Sequence, residues 1–367
     1  MAREPDLEAI CVADVEEARE APIEPGLPII DPHHHLRDRQ ADHFRASSHY
    51  LLPELLRDMD SGHNIRATVV VECSAMYKAD GPPELRPVGE TEFLNGIAAM
   101  SASGGYGSTR VCAGIVGFAD MRLGERVRPV LEAHVAAGGG RFRGIRNQVS
   151  WDEHDGLKNL RGLNVPHALL DPDVRAGVGC LASLDLSLDI HCHFTQLGDV
   201  LDLATAVPQV NIVLNHTGGP VHIGPYAGRH AEVFDRWKKG MQELARCPNV
   251  VVKLGALARV GFDTKRKDAQ PMSEHLAALW RPYIETSIEL FGAERCMFES
   301  NFPPDRKICA YGILWNAFKR IAAQYTASEK VALFSGTATA AYRLPAIRPG
   351  ARSMGCSSSH IRLAPER

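Results

Sequence analysis

Leu27-Pro28-Ile29-Ile30-Asp31-Pro32-His33-His34-His35-Leu36 decides how this 367-residue chain is read. A short apolar run, Leu27–Asp31, leads at once into three histidines. Side chains alternate along an extended strand, so His33 and His35 point the same way and bring two imidazoles together. A buried strand that ends in polar groups is the repeating unit of a (β/α)8 barrel, where chemistry sits at the C-terminal strand ends.

Seven more such runs follow: Ala67–Glu72, Val111–Phe118, Phe142–Asn147, Ser187–Cys192, Val210–Asn215, Val250–Leu254 and Cys296–Glu299. Lengths of roughly 4–8 residues suit parallel strands buried on both faces. Between them Glu90–Met100, Gly124–Ala137, Pro166–Leu181, Gln196–Ala206, Ala231–Ala245 and Ser273–Phe291 show apolar residues at i, i+3 and i+4, the helical spacing. Strand–helix alternation implies right-handed crossovers and a parallel sheet. No nucleotide-binding glycine fingerprint follows the first strand, which favours a closed α/β TIM barrel over a doubly wound sheet. The expected organisation is an acidic arm over residues 1–26, a barrel over 27–344 and a mobile tail over 345–367.

Hydrophobic residues make up 45% of the chain and charged residues 23%, the balance of an ordinary globular protein. A net charge of -3 gives no electrostatic reason to expect nucleic acid or an anionic membrane as partner. The nine cysteines are scattered without a C-x-x-C pair, which suits reduced thiols. With no signal-like or membrane-spanning run, the expectation is a cytoplasmic protein acting on a small molecule, with homo-oligomerisation left open.

Later strands end much as the first does. Ser187–Cys192 runs into His193, so His191 and His193 share a face; each is as well explained as a half-buried structural histidine as by function. Val210–Asn215 leads into His216-Thr217-Gly218-Gly219, where the glycines let backbones approach and His216 stands at the mouth. Arg143 and Arg146 fall on opposite faces unless Gly144 bends the strand. One guanidinium then serves the mouth, a fork for a substrate carboxylate, and the other forms an ion pair. Glu299, Asn301 and Asp305 crowd the segment after the last strand, and a carboxylate beside histidines is a means of activating water. Glu72, closing the second run, is either a further acidic site group or the partner of an arginine.

Taken in order, Ile30–Leu36, Phe142–Arg146, Ile212–Pro220, Val250–Gly255 and Arg295–Pro303 resemble the amidohydrolase-2 family, in its 2-pyrone-4,6-dicarboxylate lactonase and L-fuconolactonase branch. The likeness runs from about residue 27 to 344. It implies a distorted barrel and hydrolysis of lactones or related cyclic esters. It matches His33, His35 and His216 to the family's catalytic histidines, and puts His191 near the metal-ligand position of decarboxylating relatives. Arg143 and Arg146 fall where that branch holds substrate carboxylates. Most of the superfamily has Asp where this chain has Asn301, and Asn is no base; Glu299 or Asp305 then takes the role. The resemblance leaves the cofactor as one divalent metal, Zn or Mn, or none. Three functions stay open. The first is a lactone-opening hydrolase acting on a carboxylated metabolite through His33, His35, His216 and a carboxylate. The second is a metal-dependent decarboxylase with His33, His35 and His191 as ligands, and the third is a silent small-molecule-binding barrel.

Overall fold

The computed structural model describes residues 19–38, 49–154, 157, 162–257 and 271–345. Eight parallel strands pair in chain order: β1 (Pro28–His34), β2 (Asn64–Val71), β3 (Arg110–Gly117), β4 (Phe142–Gln148), β5 (Ser187–His191), β6 (Ile212–Leu214), β7 (Val250–Leu254) and β8 (Cys296–Phe298). All eight expected runs are strands, with ends displaced by at most three residues. The seam closes just beyond β8. His34 bridges to Phe302, the His35 N–H donates to the Phe302 carbonyl at 2.8 Å, and the Asn301 N–H donates to the His33 carbonyl at 2.9 Å. Asp31 fastens the same seam, accepting from the Ser300 hydroxyl at 2.6 Å and the Tyr311 hydroxyl at 3.0 Å. The result is a TIM barrel.

Helices cover the outside: α1 (Leu52–Met59), α2 (Val88–Ala102), α3 (Arg128–Ala137), α4 (Pro172–Ala182), α5 (Leu197–Ala206), α6 (His230–Leu244), α7 (Ser273–Phe291) and α8 (Tyr311–Ile321), followed by α9 (Ala327–Val331) and α10 (Thr337–Ala341). Two expected helices start later than their periodicity suggests. Gly124 takes φ 58 and kinks the 3-10 stretch Met121–Val127 that precedes α3. Asp171 caps α4, its side chain accepting from the Asp173 and Val174 N–H groups, so the helix begins at Pro172. The short α1, α9 and α10, and the 11-residue α8, lie outside the expected helical stretches.

Two apolar layers result. Ile29, Ile115, Ile145, Leu188 and Leu254 face outward under the helices, while Ile30, Val69, Val71, Val116, Val213 and Met297 fill the barrel. Ala338, Tyr342 and Leu344, from α10 and the residues after it, join the inner layer. Asn211, just before β6, donates to the Ala341 carbonyl at 3.3 Å, and Arg343 pairs with Asp185, ahead of β5, at 2.9 Å. The C-terminal segment therefore plugs the barrel foot, opposite the mouth.

Register against β3 is broken on β4: one step from Ile115 to Val116 matches two from Phe142 to Gly144. This bulge turns both arginines inward. Residues 19–24 lie against α7 and α8, where Glu20 accepts from the Ser273 N–H at 2.7 Å and the Ile23 N–H donates to Asn316 at 2.8 Å. The rest of the expected arm, residues 1–18, and all but Pro345 of the expected mobile tail lie outside the described residues. The seven cysteines among the described residues are unbridged and buried. Among those residues no helix is long and apolar enough to cross a membrane.

Candidate active site

At the mouth the ends of β1, β5 and β6 bring four imidazoles into a chain. His33 lies 4.9 Å from His35 and 4.7 Å from His216, ring centre to ring centre, and His216 lies 4.8 Å from His191. Alternation along β1 gives His33 and His35 their common face, as expected, and His34 turns away to the Thr68 hydroxyl at 2.8 Å. His35 Nδ1 donates to the Val71 carbonyl at 2.8 Å, which fixes its tautomer and orientation. Burial, with Arg146 nearby, holds His35 well below its ordinary pKa; burial and Lys253 do the same to His33. Both rings are therefore neutral.

Glu299 is the carboxylate that the structure brings into this cluster. Its Oε1 accepts from both the His216 backbone N–H at 3.0 Å and the His216 ring Nδ1 at 2.8 Å. Its Oε2 lies 2.8 Å from His33 Nδ1 without hydrogen-bond geometry and has no hydrogen-bond partner among the described residues. Burial pushes the carboxyl up to about 7, against the opposing pull of Lys253 and the His216 N–H. Gly255 makes room for it: a Cβ there would meet Glu299 Cγ at 2.5 Å and the Glu299 carbonyl oxygen at 2.5 Å. Gly219 plays the corresponding part against the Cys192 carbonyl, the close approach anticipated from the glycine pair.

Asn301 and Asp305 are turned toward each other, Asn301 Nδ2 donating to Asp305 Oδ1 at 2.8 Å. Left-handed backbone conformations cluster after three successive strands, at His216 (φ 57), Thr217 (φ 53), Ala256 (φ 55) and Asn301 (φ 52). Each costs about 1–3 kcal/mol and persists where surrounding structure over-determines it, which is typical of functional sites.

The two arginines part company. Arg146, buried, donates from Nε to Glu72 Oε1 at 2.7 Å and from Nη2 to the Glu72 carbonyl at 2.5 Å, and Nη1 faces His33 Nε2 at 3.4 Å. Arg143 sits lower, beside Val69 and Leu344 in the foot layer, and donates to the Phe142 carbonyl at 2.9 Å. Three residues of strand separate them by roughly 10 Å, so the bend at Gly144 does not bring Arg143 to the mouth. That placement corrects the expectation of Arg143 as a substrate anchor. His193 faces away from the histidine chain to the Leu157 carbonyl, 3.0 Å from Nε2.

Three groups absent from the sequence reading complete the site from below. Lys253 donates to Asp189 Oδ2 at 2.8 Å and reaches His33 Nδ1 at 3.2 Å, and Tyr342 donates to Asp189 at 2.8 Å. All three are fully buried. The available signal was Lys253 itself. A lysine inside Val250-Val251-Val252-Lys253-Leu254, a strand covered on both faces, has only the barrel interior to point into.

His33, His216 and Glu299 offer donor atoms within 4.8 Å of one another, all buried. Two imidazoles and a carboxylate with an orphaned oxygen form a donor set that fits a divalent cation of the zinc class. This group shares only His33 with the expected His33, His35 and His191 set; His35 donates its Nδ1–H to the Val71 carbonyl, and His191 stands beyond His216.

Residues 30–344 match the amidohydrolase family model. An uncharacterized protein of Sinorhizobium fredii, y4mH, is 33% identical over 333 residues, covering 87% of this chain and 99% of that protein. L-fucono-1,5-lactonase of Burkholderia multivorans is 28% identical over 324 residues, covering 86% of this chain and 96% of the lactonase. An amidohydrolase crystal structure from Burkholderia multivorans with bound zinc superposes with a TM-score of 0.65 at 26% identity, over 86% of this chain and 99% of the other. Eight strands in order, histidines at the β1 and β6 ends and a family match over nearly the whole barrel agree: the chain belongs to the amidohydrolase family and is a hydrolase.

Proposed function

We propose that this amidohydrolase opens a lactone or related cyclic ester of a carboxylated metabolite, with Glu299 as the group that takes the proton from the attacking water. The carrying observation is Glu299 Oε2: buried, without a hydrogen-bond partner among the described residues, and part of a carboxyl pushed up to about 7. A base poised near neutrality suits proton transfer at physiological pH. The likeness to L-fucono-1,5-lactonase supports the substrate class.

The two N–H groups of His216 hold Oε1, which leaves Oε2 to face the water when no cation is bound and to ligate a cation when one is. His35 and His216 each direct their ring Nδ1–H at a fixed acceptor, Val71 and Glu299, which orients both rings at the mouth. Arg146, oriented by Glu72 and facing His33, is placed to stabilise developing negative charge or to hold a substrate carboxylate. His33, His216 and Glu299 would hold a divalent cation, Zn or Mn, which would supply Lewis-acid polarisation of the ester carbonyl. Asn301 and Asp305 support the strand end that carries Glu299, and His193 secures the loop at the rim. The barrel over 27–344 is the catalytic unit in this reading, and the enzyme works in the cytoplasm.

The experiment is a pH-stat assay over a panel of sugar-acid and carboxylated lactones, comparing wild type with Glu299→Gln and Asp305→Asn. Loss of turnover in Glu299→Gln, with Asp305→Asn retaining most of it, is the expected result. An unimpaired Glu299→Gln enzyme rules the base assignment out.

A further inference from the structure

Beneath the histidines lies a charge that the proposed proton transfer does not use. Lys253 points into the barrel with no solvent exposure. Its ammonium is fixed by Asp189 at 2.8 Å, and the face of the Tyr342 ring lies 5.2 Å from it. Asp189 is itself held by the Tyr342 hydroxyl at 3.0 and 2.8 Å and by Asn215 Nδ2 at 2.8 Å. A buried ion pair of this kind is a weak source of stability, because desolvation offsets much of the attraction. Its placement against His33 therefore calls for another reason.

The atom that Lys253 reaches, His33 Nδ1, is also the atom 2.8 Å from the orphaned oxygen of Glu299. In the tautomer that accepts from Lys253, Nε2 carries the hydrogen and makes no bond with Arg146, and the one lone pair on Nδ1 has two prospective partners: the ammonium N–H, or a cation shared with Glu299. We propose that Lys253 is a positioning residue, a resident counter-charge that holds the His33 lone pair and balances Glu299, so that a divalent cation enters only in competition with the ammonium. A fixed positive charge in a desolvated pocket opposes a second one strongly. The inference rests on reading His33, His216 and Glu299 as the reacting cluster, yet it concerns cation affinity rather than turnover.

Zinc affinity of the full chain, measured by competition with a chromogenic chelator, tests it in wild type, Lys253→Gln and Tyr342→Phe. Lys253→Gln keeps a hydrogen-bonding group beside Asp189 and removes the charge; it should bind zinc at least about tenfold more tightly. Tyr342→Phe alters the brace but no charge, and its zinc affinity should stay within about twofold of wild type. Unchanged or weaker affinity in Lys253→Gln overturns the proposal, because loss of a purely structural brace loosens the cluster. An equal gain in Tyr342→Phe overturns it too. Should Lys253→Gln not fold, the double variant Lys253→Met/Asp189→Asn removes the pair without stranding a buried charge. Its gain is smaller, since the Asp189 charge departs as well, and no gain there is equally decisive. A wild type that opens no lactone would sink the hydrolytic proposal and leave the zinc comparison standing.

Discussion

The inside of this barrel is two different materials. At the foot, Val69, Val116, Val213 and Leu344 form a dry layer plugged by the C-terminal segment. One tier higher, His33, Arg146, Asp189, Lys253 and Glu299 are equally buried and almost all ionisable. Burial alone does not separate the tiers; purpose does. The foot lowers the Gibbs energy of the fold, whereas the upper tier raises it through desolvation and is tolerable only because each charge has a partner. The apolar floor also gives the charged tier a low dielectric, which strengthens each of its electrostatic contacts.

The sharpest test of that division is to change one residue in each tier. Glu299→Gln should lower kcat by about 10²–10⁴-fold on any lactone the wild type opens, with little loss of thermal stability. A variant that unfolds early while keeping kcat would reverse the assignment of the upper tier. Gly255→Ala attacks the same group indirectly. Its methyl would overlap Glu299 Cγ, so displacement of the carboxylate should cut kcat by tenfold or so, at about 1–3 kcal/mol of stability. Val69→Ala at the foot should do the opposite, costing about 2 kcal/mol in denaturant unfolding and leaving KM and kcat close to wild type. Equal effects on both readouts in that variant would mean that the tiers are mechanically one.

A second acid at the mouth allows the comparison to be made by pH. Glu90, on α2, accepts from the Cys73 N–H at 2.8 Å and the Ala75 N–H at 3.0 Å. Burial, with the Glu72 carboxylate beside it, pushes its carboxyl from an ordinary 4.5 up to about 8. The folded chain therefore keeps a proton that the unfolded chain has released between those two values. Its contribution to stability falls as pH rises through that window and levels off above about 8. Glu90→Gln cannot ionise, so the difference in unfolding free energy between it and wild type should widen in favour of the variant from about pH 5 to pH 8. Parallel stability curves would place Glu90 outside the charged tier.

How much of this was legible in the chain depended on whether a pattern was local. The eight strands were, because each is a short apolar run between helical stretches, and so was the shared face of His33 and His35. Glu299 was legible as a candidate only; nothing local distinguished it from Asp305, and the choice comes from the β8 end turning one toward His216 and the other toward Asn301. Arg143 and Arg146 depended on whether Gly144 bends the strand. The bulge is real, but height along the strand, not face, decides which arginine reaches the mouth. Lys253 and Asp189 lie inside apolar runs rather than at their ends, where strand periodicity alone does not mark them as site groups. Tyr342 was out of reach: it comes from a segment more than 40 residues after β8, and only the closed foot brings it under the site.

That tyrosine joins the two tiers, its ring in the apolar foot and its hydroxyl on Asp189. Tyr342→Phe keeps the ring and removes the hydroxyl, so it severs the joint without opening a cavity. Asp189 retains Lys253 and Asn215, and the loss should be about 1 kcal/mol in denaturant unfolding, the size of one hydrogen bond. With one partner of Asp189 gone, Lys253 gains some freedom, and kcat should fall by only a few-fold at unchanged KM. Should kcat instead drop as far as in Glu299→Gln, the charged tier would depend on the foot for its geometry. The barrel would then have one interior with a polar end, because neither tier could be altered without the other.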